Sequence, residues 1–140
     1  MHPEAYASAM AMLKANPLLA YSGWWLYLFL DPERRALVGC GGFKGGPTTE
    51  GVVEVGCEIA PAYRGRGLAT EAVLALVRYA FTRPCVMAVE AHSLAGRNAQ
   101  ARVLEKAGFG KVARNNDRRN GVWRWRITLD AYLGAQRRAG

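Results

Sequence analysis

The sequence is poor in the residues that staple or metallate a domain. It has three cysteines, Cys40, Cys57 and Cys85, far apart and odd in number. With no Cys-x-x-Cys pair, a disulfide framework is excluded and a cytoplasmic chain is expected. There are two histidines, His2 and His92, and neither stands at ligand spacing from a cysteine. No metal site is expected. A basic start followed by an apolar core of signal-peptide length is missing. The greasiest segment, residues 17–30, is too short to span a bilayer and is interrupted by Ser22 and Gly23. It reads as a buried strand behind a turn, with no membrane partner. Long basic tails and Lys-rich arms are also absent, which argues against a nucleic-acid module.

What is present is a globular composition, 51% hydrophobic and 21% charged over 140 residues. This predicts one domain over residues 1–140, large enough to hide roughly 70% of its unfolded surface. The net charge of +8, from 19 Lys+Arg against 11 Asp+Glu, favours an anionic partner. The positive residues gather at Arg64 and Arg66, at Arg97, Arg102 and Lys106, and along 114–126.

Hydrophobic period and punctuation lay out the elements. Residues 4–15 read as a helix stopped by Asn16-Pro17. Residues 24–30 and 36–43 read as two arms of a hairpin, with Gly39, Gly41 and Gly42 weakening the second or marking a bulge. In 52–59, VVEVGCEI, alternation puts Val53, Val55, Cys57 and Ile59 on one face and Glu54, Gly56 and Glu58 on the other. A helix follows over 67–81, with Leu68, Ala72, Val73, Leu76, Val77 and Ala80 on one side. Residues 85–91 read as a strand and 98–107 as a helix closed by Gly108. Residues 109–113 and 122–129 read as strands, the latter alternating Trp123, Trp125, Ile127 and Leu129 with Arg124 and Arg126. The last dozen residues read as a weak tail. The strand–helix–strand run at 52–91 implies a parallel crossover, and hence a mixed sheet with helices packed on it.

Between the third strand and its helix stands EIAPAYRGRGLATE, residues 58–71. A glycine turn leading into a helix start makes an anion site, because unpaired N–H groups point outward there and the macrodipole adds positive potential. Gly65 and Gly67 let the backbone approach a phosphate. Arg64 and Arg66 add charged donors. The stretch is no dinucleotide fingerprint, since Gly-x-Gly-x-x-Gly is incomplete, and no Walker loop, since Lys-Ser/Thr is missing.

Two motifs give the stretch a setting. Arg64-Gly65-Arg66-Gly67-Leu68-Ala69 resembles the Gln/Arg-x-x-Gly-x-Gly/Ala signature of the GCN5-related N-acetyltransferase (GNAT) superfamily. RVLEKAGF at 102–109 resembles the superfamily's Arg-Val-Leu-Glu-Lys-x-Gly-Phe. The resemblance covers roughly residues 20–130 and is nearest to the branch that acetylates ribosomal-protein N-termini. It implies an α+β, three-layer fold: a mixed central sheet with one splayed strand pair and flanking helices. The family's first strand would be missing here, and a second copy of the chain, as a homodimer, is the partner that would cover the edge so exposed.

The resemblance further implies acetyl-CoA as cosubstrate and direct transfer of its acetyl group to a primary amine. The pantetheine arm would pair with Cys57, Glu58 and Ile59. The pyrophosphate would rest on Arg64, Gly65, Arg66, Gly67, Leu68, Ala69 and Thr70. Asn98 is a further candidate ligand, with a helix N-cap as the alternative. Glu54 is the candidate general base and Glu58 the second choice. The family's serine falls on Gln100; Tyr63 and His92 are the remaining side chains for its role, with nothing in the sequence to choose between them. A degenerate acyl-CoA-binding sensor or structural subunit is the rival reading, and a basic nucleic-acid-binding domain a third.

Overall fold

A computed structural model describes residues 23–112 and 121–139. Within them the chain forms strands β1 (Leu26–Asp31), β2 (Ala36–Phe43) and β3 (Val52–Ile59), then helix α1 (Leu68–Phe81). Strand β4 (Ala88–Leu94), helix α2 (Ala99–Lys106), strands β5 (Gly110–Lys111) and β6 (Val122–Thr128), and helix α3 (Leu129–Ala139) complete it. The six strands form one sheet in the order β1-β2-β3-β4-β6-β5. Only β3 and β4 run parallel, joined through α1; every other pairing is antiparallel. This is the mixed sheet with flanking helices that the strand–helix–strand pattern predicts.

The core lies between the sheet and α1. Val53, Val55 and Ile59 point into it from β3, and Val73, Leu76, Val77 and Ala80 meet them from α1. Each buried Val or Leu side chain there contributes roughly 1.5–3 kcal/mol. Trp125 and Ile127 enter from β6, with Leu104 and Phe109 around the end of α2. The alternation in β3 and β6 is therefore that of half-buried strands, and their second faces are left to charged side chains.

The glycines of β2 have a steric reason. The β1–β2 register shifts between Phe29 and Leu30, opposite Gly39 and Leu37. A Cβ on Gly39 would stand 2.3 Å from the Glu58 carbonyl oxygen, and one on Gly42 would stand 2.0 Å from that of Trp25. No larger residue fits at either place without moving backbone.

Five expectations shift. The strand expected to be buried within residues 17–30 is an exposed edge strand, with Leu28 58% and Leu30 68% exposed. The first strand starts at Leu26, not at residue 24, because Trp24 turns into the core edge-on to Phe43 at 4.9 Å and Tyr79 at 5.7 Å. The fourth starts at Ala88 rather than Cys85: the turn after α1 continues through Val86, whose N–H donates to the Arg83 carbonyl, and Gly51 accepts from Met87 and Ala88. The strand expected over 109–113 is the two-residue β5, and Ala113 lies outside the described residues. The weak tail is helix α3. Thr128 Oγ1 accepts from the Ala131 N–H at 3.2 Å, and Tyr132 packs on Phe81 with ring centroids 5.0 Å apart. The helix expected over 4–15 lies outside the described residues.

Candidate active site

The site begins where the only parallel pairing among the described residues ends. β3 and β4 pair at Val52–Ala88, Val53–Val89 and Glu54–Glu90, and no further. Beyond that rung β3 runs on to Ile59 against β2, while β4 runs on to Leu94 against β6. The two strands therefore part company in the middle of the sheet. Antiparallel bonding alternates: the Lys44 N–H donates to the Glu54 carbonyl, and the Ala60 N–H, just past β3, to the Val38 carbonyl. By that parity Cys57 and Ile59 turn their backbone groups toward the gap. Such groups need partners: Arg64 supplies one for the Ile59 carbonyl, and a ligand entering the gap can supply the rest.

At the far end of β3 the chain makes a single turn of tighter helix over Pro61–Tyr63 and reaches α1 through Arg64–Gly67. Arg64 Nε donates to the Ile59 carbonyl at 3.0 Å, tying the turn to the end of the strand. The Arg66 guanidinium lies 5.8 Å from the centre of the Tyr63 ring. Gly65 and Gly67 have φ of +79° and +77°, where a side chain is strained, and a Cβ on either would meet nothing within 4 Å. The surface over both glycines is thus open. Gly67 caps α1 without a side chain, and the first helical bond is Glu71 N–H to the Gly67 carbonyl at 3.1 Å. The amides of Leu68, Ala69 and Thr70 precede it and have no helical acceptor. Open surface, glycines and free amides fit a phosphate group.

The face of the sheet away from α1 is charged. Glu54 Oε1 receives Lys44 Nζ at 3.0 Å and also meets His92 Nδ1. Glu90, buried at 9% exposure, is gripped by Arg126 through Nε at 3.0 Å and through Nη2. Arg124 Nε stands 3.8 Å from the other Glu90 oxygen and is buried without a hydrogen-bond partner among the described residues. Glu58 lines a cavity of about 110 Å³ with Leu37, Gly39, Cys40 and Ala60. Burial raises the Cys57 thiol to about 11, with a smaller contribution from Cys40. Burial, and then the Glu58 charge, also raises Cys40. Cys57 is therefore a thiol at neutral pH, unsuited to nucleophilic work.

The structure thus gathers Cys57, Ile59 and the Arg64–Thr70 turn at one end of the gap, with Glu54 at the rung where it opens. Asn98 serves as N-cap of α2: its Oδ1 accepts from Ala101 N–H at 2.9 Å and its Nδ2 donates to the Leu94 carbonyl at 2.8 Å. Both ends of the amide are engaged within the protein. His92 enters the sequence reading only as a stand-in for the family's serine, level with Tyr63; its place beside Glu54 is what the fold adds. Its signal is parity: Glu90 and His92 share a face of β4, as Glu54 and Glu58 share one of β3. Only the Glu54–Glu90 register shows that the two faces coincide. A larger cavity, about 420 Å³, lies elsewhere, between α1 and the β1–β2 edge, with Tyr27, Phe29, Val38, Leu68 and Leu76 in its walls. Among the described residues no group of His, Cys, Asp and Glu is placed to hold a metal ion, and no helix is long and apolar enough to cross a membrane.

The sheet is thus split at its parallel pair, with a glycine turn and a helix start at the mouth of the gap. The acetyltransferase (GNAT) domain model matches residues 2–110, and the chain belongs to that family. A curated relative, the probable N-acetyltransferase YjcK of Bacillus subtilis, is 42% identical over 71 residues, covering 49% of this chain. The chain spans 39% of that relative's length and 56% of a second, uncharacterized N-acetyltransferase YjdG of the same organism. A spermidine N-acetyltransferase SpeG mutant from Vibrio cholerae superposes with a TM-score of 0.72 at 20% identity, over 91% of this chain and 78% of that one. The aminoglycoside acetyltransferase AAC(6')-Ib in complex with coenzyme A gives 0.65 at 23%, over 86% and 75%. These likenesses establish the fold.

Proposed function

We propose that the protein is an acetyl-CoA-dependent N-acetyltransferase acting on a primary amine. One observation carries this reading above all: the parallel pair β3–β4 stops at Glu54–Glu90, and the strand that leaves it ends in a glycine turn with three helix amides that have no helical acceptor. Family membership and the coenzyme A bound by a structural neighbour support it. In this reading the pantetheine arm pairs with the gap-facing backbone of Cys57 and Ile59, beside Glu58. The pyrophosphate rests on the amides of Leu68, Ala69 and Thr70, approached over Gly65 and Gly67, with Arg64 and Arg66 at the rim.

The amine comes from the charged face. Its nitrogen attacks the thioester carbonyl directly, and backbone N–H in the gap polarises that carbonyl. The raised Cys57 thiol agrees with a route that uses no covalent enzyme intermediate. The amine must first be neutral. At pH 7 roughly a tenth of an α-amino group is neutral, against well under a thousandth of a lysine-type amine. Proton removal therefore matters most for polyamine or lysine acceptors, and the Glu54 cluster stands on the side where it would occur.

The acceptor class is open among protein N-termini, as the sequence resemblance implies, and polyamines, aminoglycosides and amino-acid analogues. Acetyl-CoA-dependent thiol release, measured over a panel of these amines, tests the reading. Release above hydrolysis with at least one amine supports it. Tight acetyl-CoA binding with no transfer to any amine would replace it with the acyl-CoA sensor.

A further inference from the structure

We propose that His92 is the group that takes the proton from the acceptor amine, and that Glu54 positions it. The inference rests on the acetyl-transfer reading above and assigns the proton step within the same site.

Glu54 Oε1 is engaged twice, by Lys44 Nζ at 3.0 Å and by His92 Nδ1. A carboxylate on Nδ1 selects the tautomer with Nδ1–H donating, which leaves the lone pair on Nε2. Among the described residues Nε2 has no hydrogen-bond partner, and about a third of the side chain (31%) is exposed. His92 is also in the right place. It is the next residue of β4 on the Glu90 face, immediately past the last rung that joins the two strands. The ring therefore stands where the gap opens.

The other charged groups on this face are spoken for. Glu90 is held by Arg126 and neighboured by Arg124, so its carboxylate is neutralised in place. Arg124 is the cross-strand partner of His92. Lys44 balances the Glu54 charge. Glu58 lies further along β3 at its own cavity. The rival acceptor is the second Glu54 oxygen, Oε2. The imidazole suits the task better, because Nε2 has no partner among the described residues while the Glu54 carboxylate already holds Lys44 and His92.

In the reaction the nitrogen lone pair forms the C–N bond to the thioester carbonyl carbon. The C–S bond breaks and its electron pair leaves with sulfur. One N–H proton passes to Nε2, giving an imidazolium set against the Glu54 carboxylate, with the Arg124 charge opposing a long stay. The proton then goes to the departing thiolate or to water. Amine and acetyl-CoA become amide and free thiol, with no other reagent.

The test compares His92→Gln, His92→Gly and Glu54→Gln with the wild-type protein, using acetyl-CoA with spermidine, an aminoglycoside and a peptide with a free N-terminus. His92→Gln is expected to bind acetyl-CoA within twofold of wild type by calorimetry, to lose about 100-fold in kcat, and to lose the acid limb of its pH–rate profile. Added imidazole should restore part of the rate of His92→Gly. Glu54→Gln is expected to fall less and to shift that limb. An unchanged kcat in His92→Gln beside a collapse in Glu54→Gln overturns the assignment in favour of the carboxylate. With only two histidines in the chain, long-range ¹H–¹⁵N spectra report the tautomer without turnover. Nδ1–H in the wild type, lost in Glu54→Gln, supports the dyad, and Nε2–H overturns it. If no amine is acetylated by the wild type, the acetyl-transfer reading falls, and the tautomer alone decides whether Glu54 orients His92.

Discussion

Replacing Gly67 separates the two jobs of the glycine turn. Gly67 sits at φ +77°, and an added Cβ would meet no atom within 4 Å. Gly67→Ala therefore has only a backbone cost, about 1–2 kcal/mol for an L-residue in the left-handed region. For a domain of this size that is a Tm loss of roughly 3–8 °C. Gly67→Trp carries the same backbone cost and also fills the space over the amides of Leu68, Ala69 and Thr70. Each charge-assisted bond to a phosphate oxygen is worth about 1.5–3 kcal/mol. Losing two removes about 3–6 kcal/mol, or roughly 10²–10⁴-fold in affinity. Gly45→Ala is the control. Its φ is +95° with nothing within 4 Å, and it lies at the opposite end of β3. It should lower Tm like Gly67→Ala and leave affinity intact. Differential scanning calorimetry reads the first effect and titration with acetyl-CoA the second. A Gly67→Trp protein that is folded and binds acetyl-CoA as the wild type does would refute the phosphate assignment.

Other consequences follow from the same geometry. Glu90→Ala strands two arginines; because Arg126 is 39% exposed, the cost should be about 2–3 kcal/mol, below the 3–5 of a fully buried pair, and thermal melts should show it as a clear fall in Tm. Asn98→Ala should destabilise α2 by about 1 kcal/mol through loss of its cap while leaving the acetyl-CoA Kd within twofold; a large Kd change would make Asn98 a ligand. The Cys57 thiol is raised from 9.0 to about 11, so the folded state holds a proton that the unfolded state releases. Stability from this group is complete below pH 9 and is lost as pH rises toward 11, and Cys57→Ser should flatten that loss in denaturant titrations at high pH.

Much of the fold was legible because its strands and helices have clean periods. β3 shows strict alternation and α1 a single apolar stripe, and both appear with their bounds within a residue of those expected. α3 was missed because Gly134 and two arginines dilute a short apolar stripe, although Thr128 caps it and Asp130 and Arg137 sit at the ends the helix dipole favours. β4 slid by the length of a turn because Cys85 and Val86 are β-prone residues held by the Arg83 carbonyl and Gly51 instead. The glycine turn announced itself locally. The gap between β3 and β4 did not, because strand register is a relation between distant segments and leaves no mark in either one. For the same reason Glu54 could be singled out from its own strand, and His92, 38 residues away, could not.

A titration of the ¹⁵N-labelled protein with coenzyme A, followed by backbone amide shifts, reads the proposed cofactor site residue by residue. The amides of Cys57, Ile59, Gly65, Gly67, Leu68, Ala69 and Thr70 should move together and saturate with one ligand per chain. Shifts confined to the cavity between α1 and the β1–β2 edge, around Tyr27, Phe29 and Leu76, or no shifts at all with excess ligand, would contradict it.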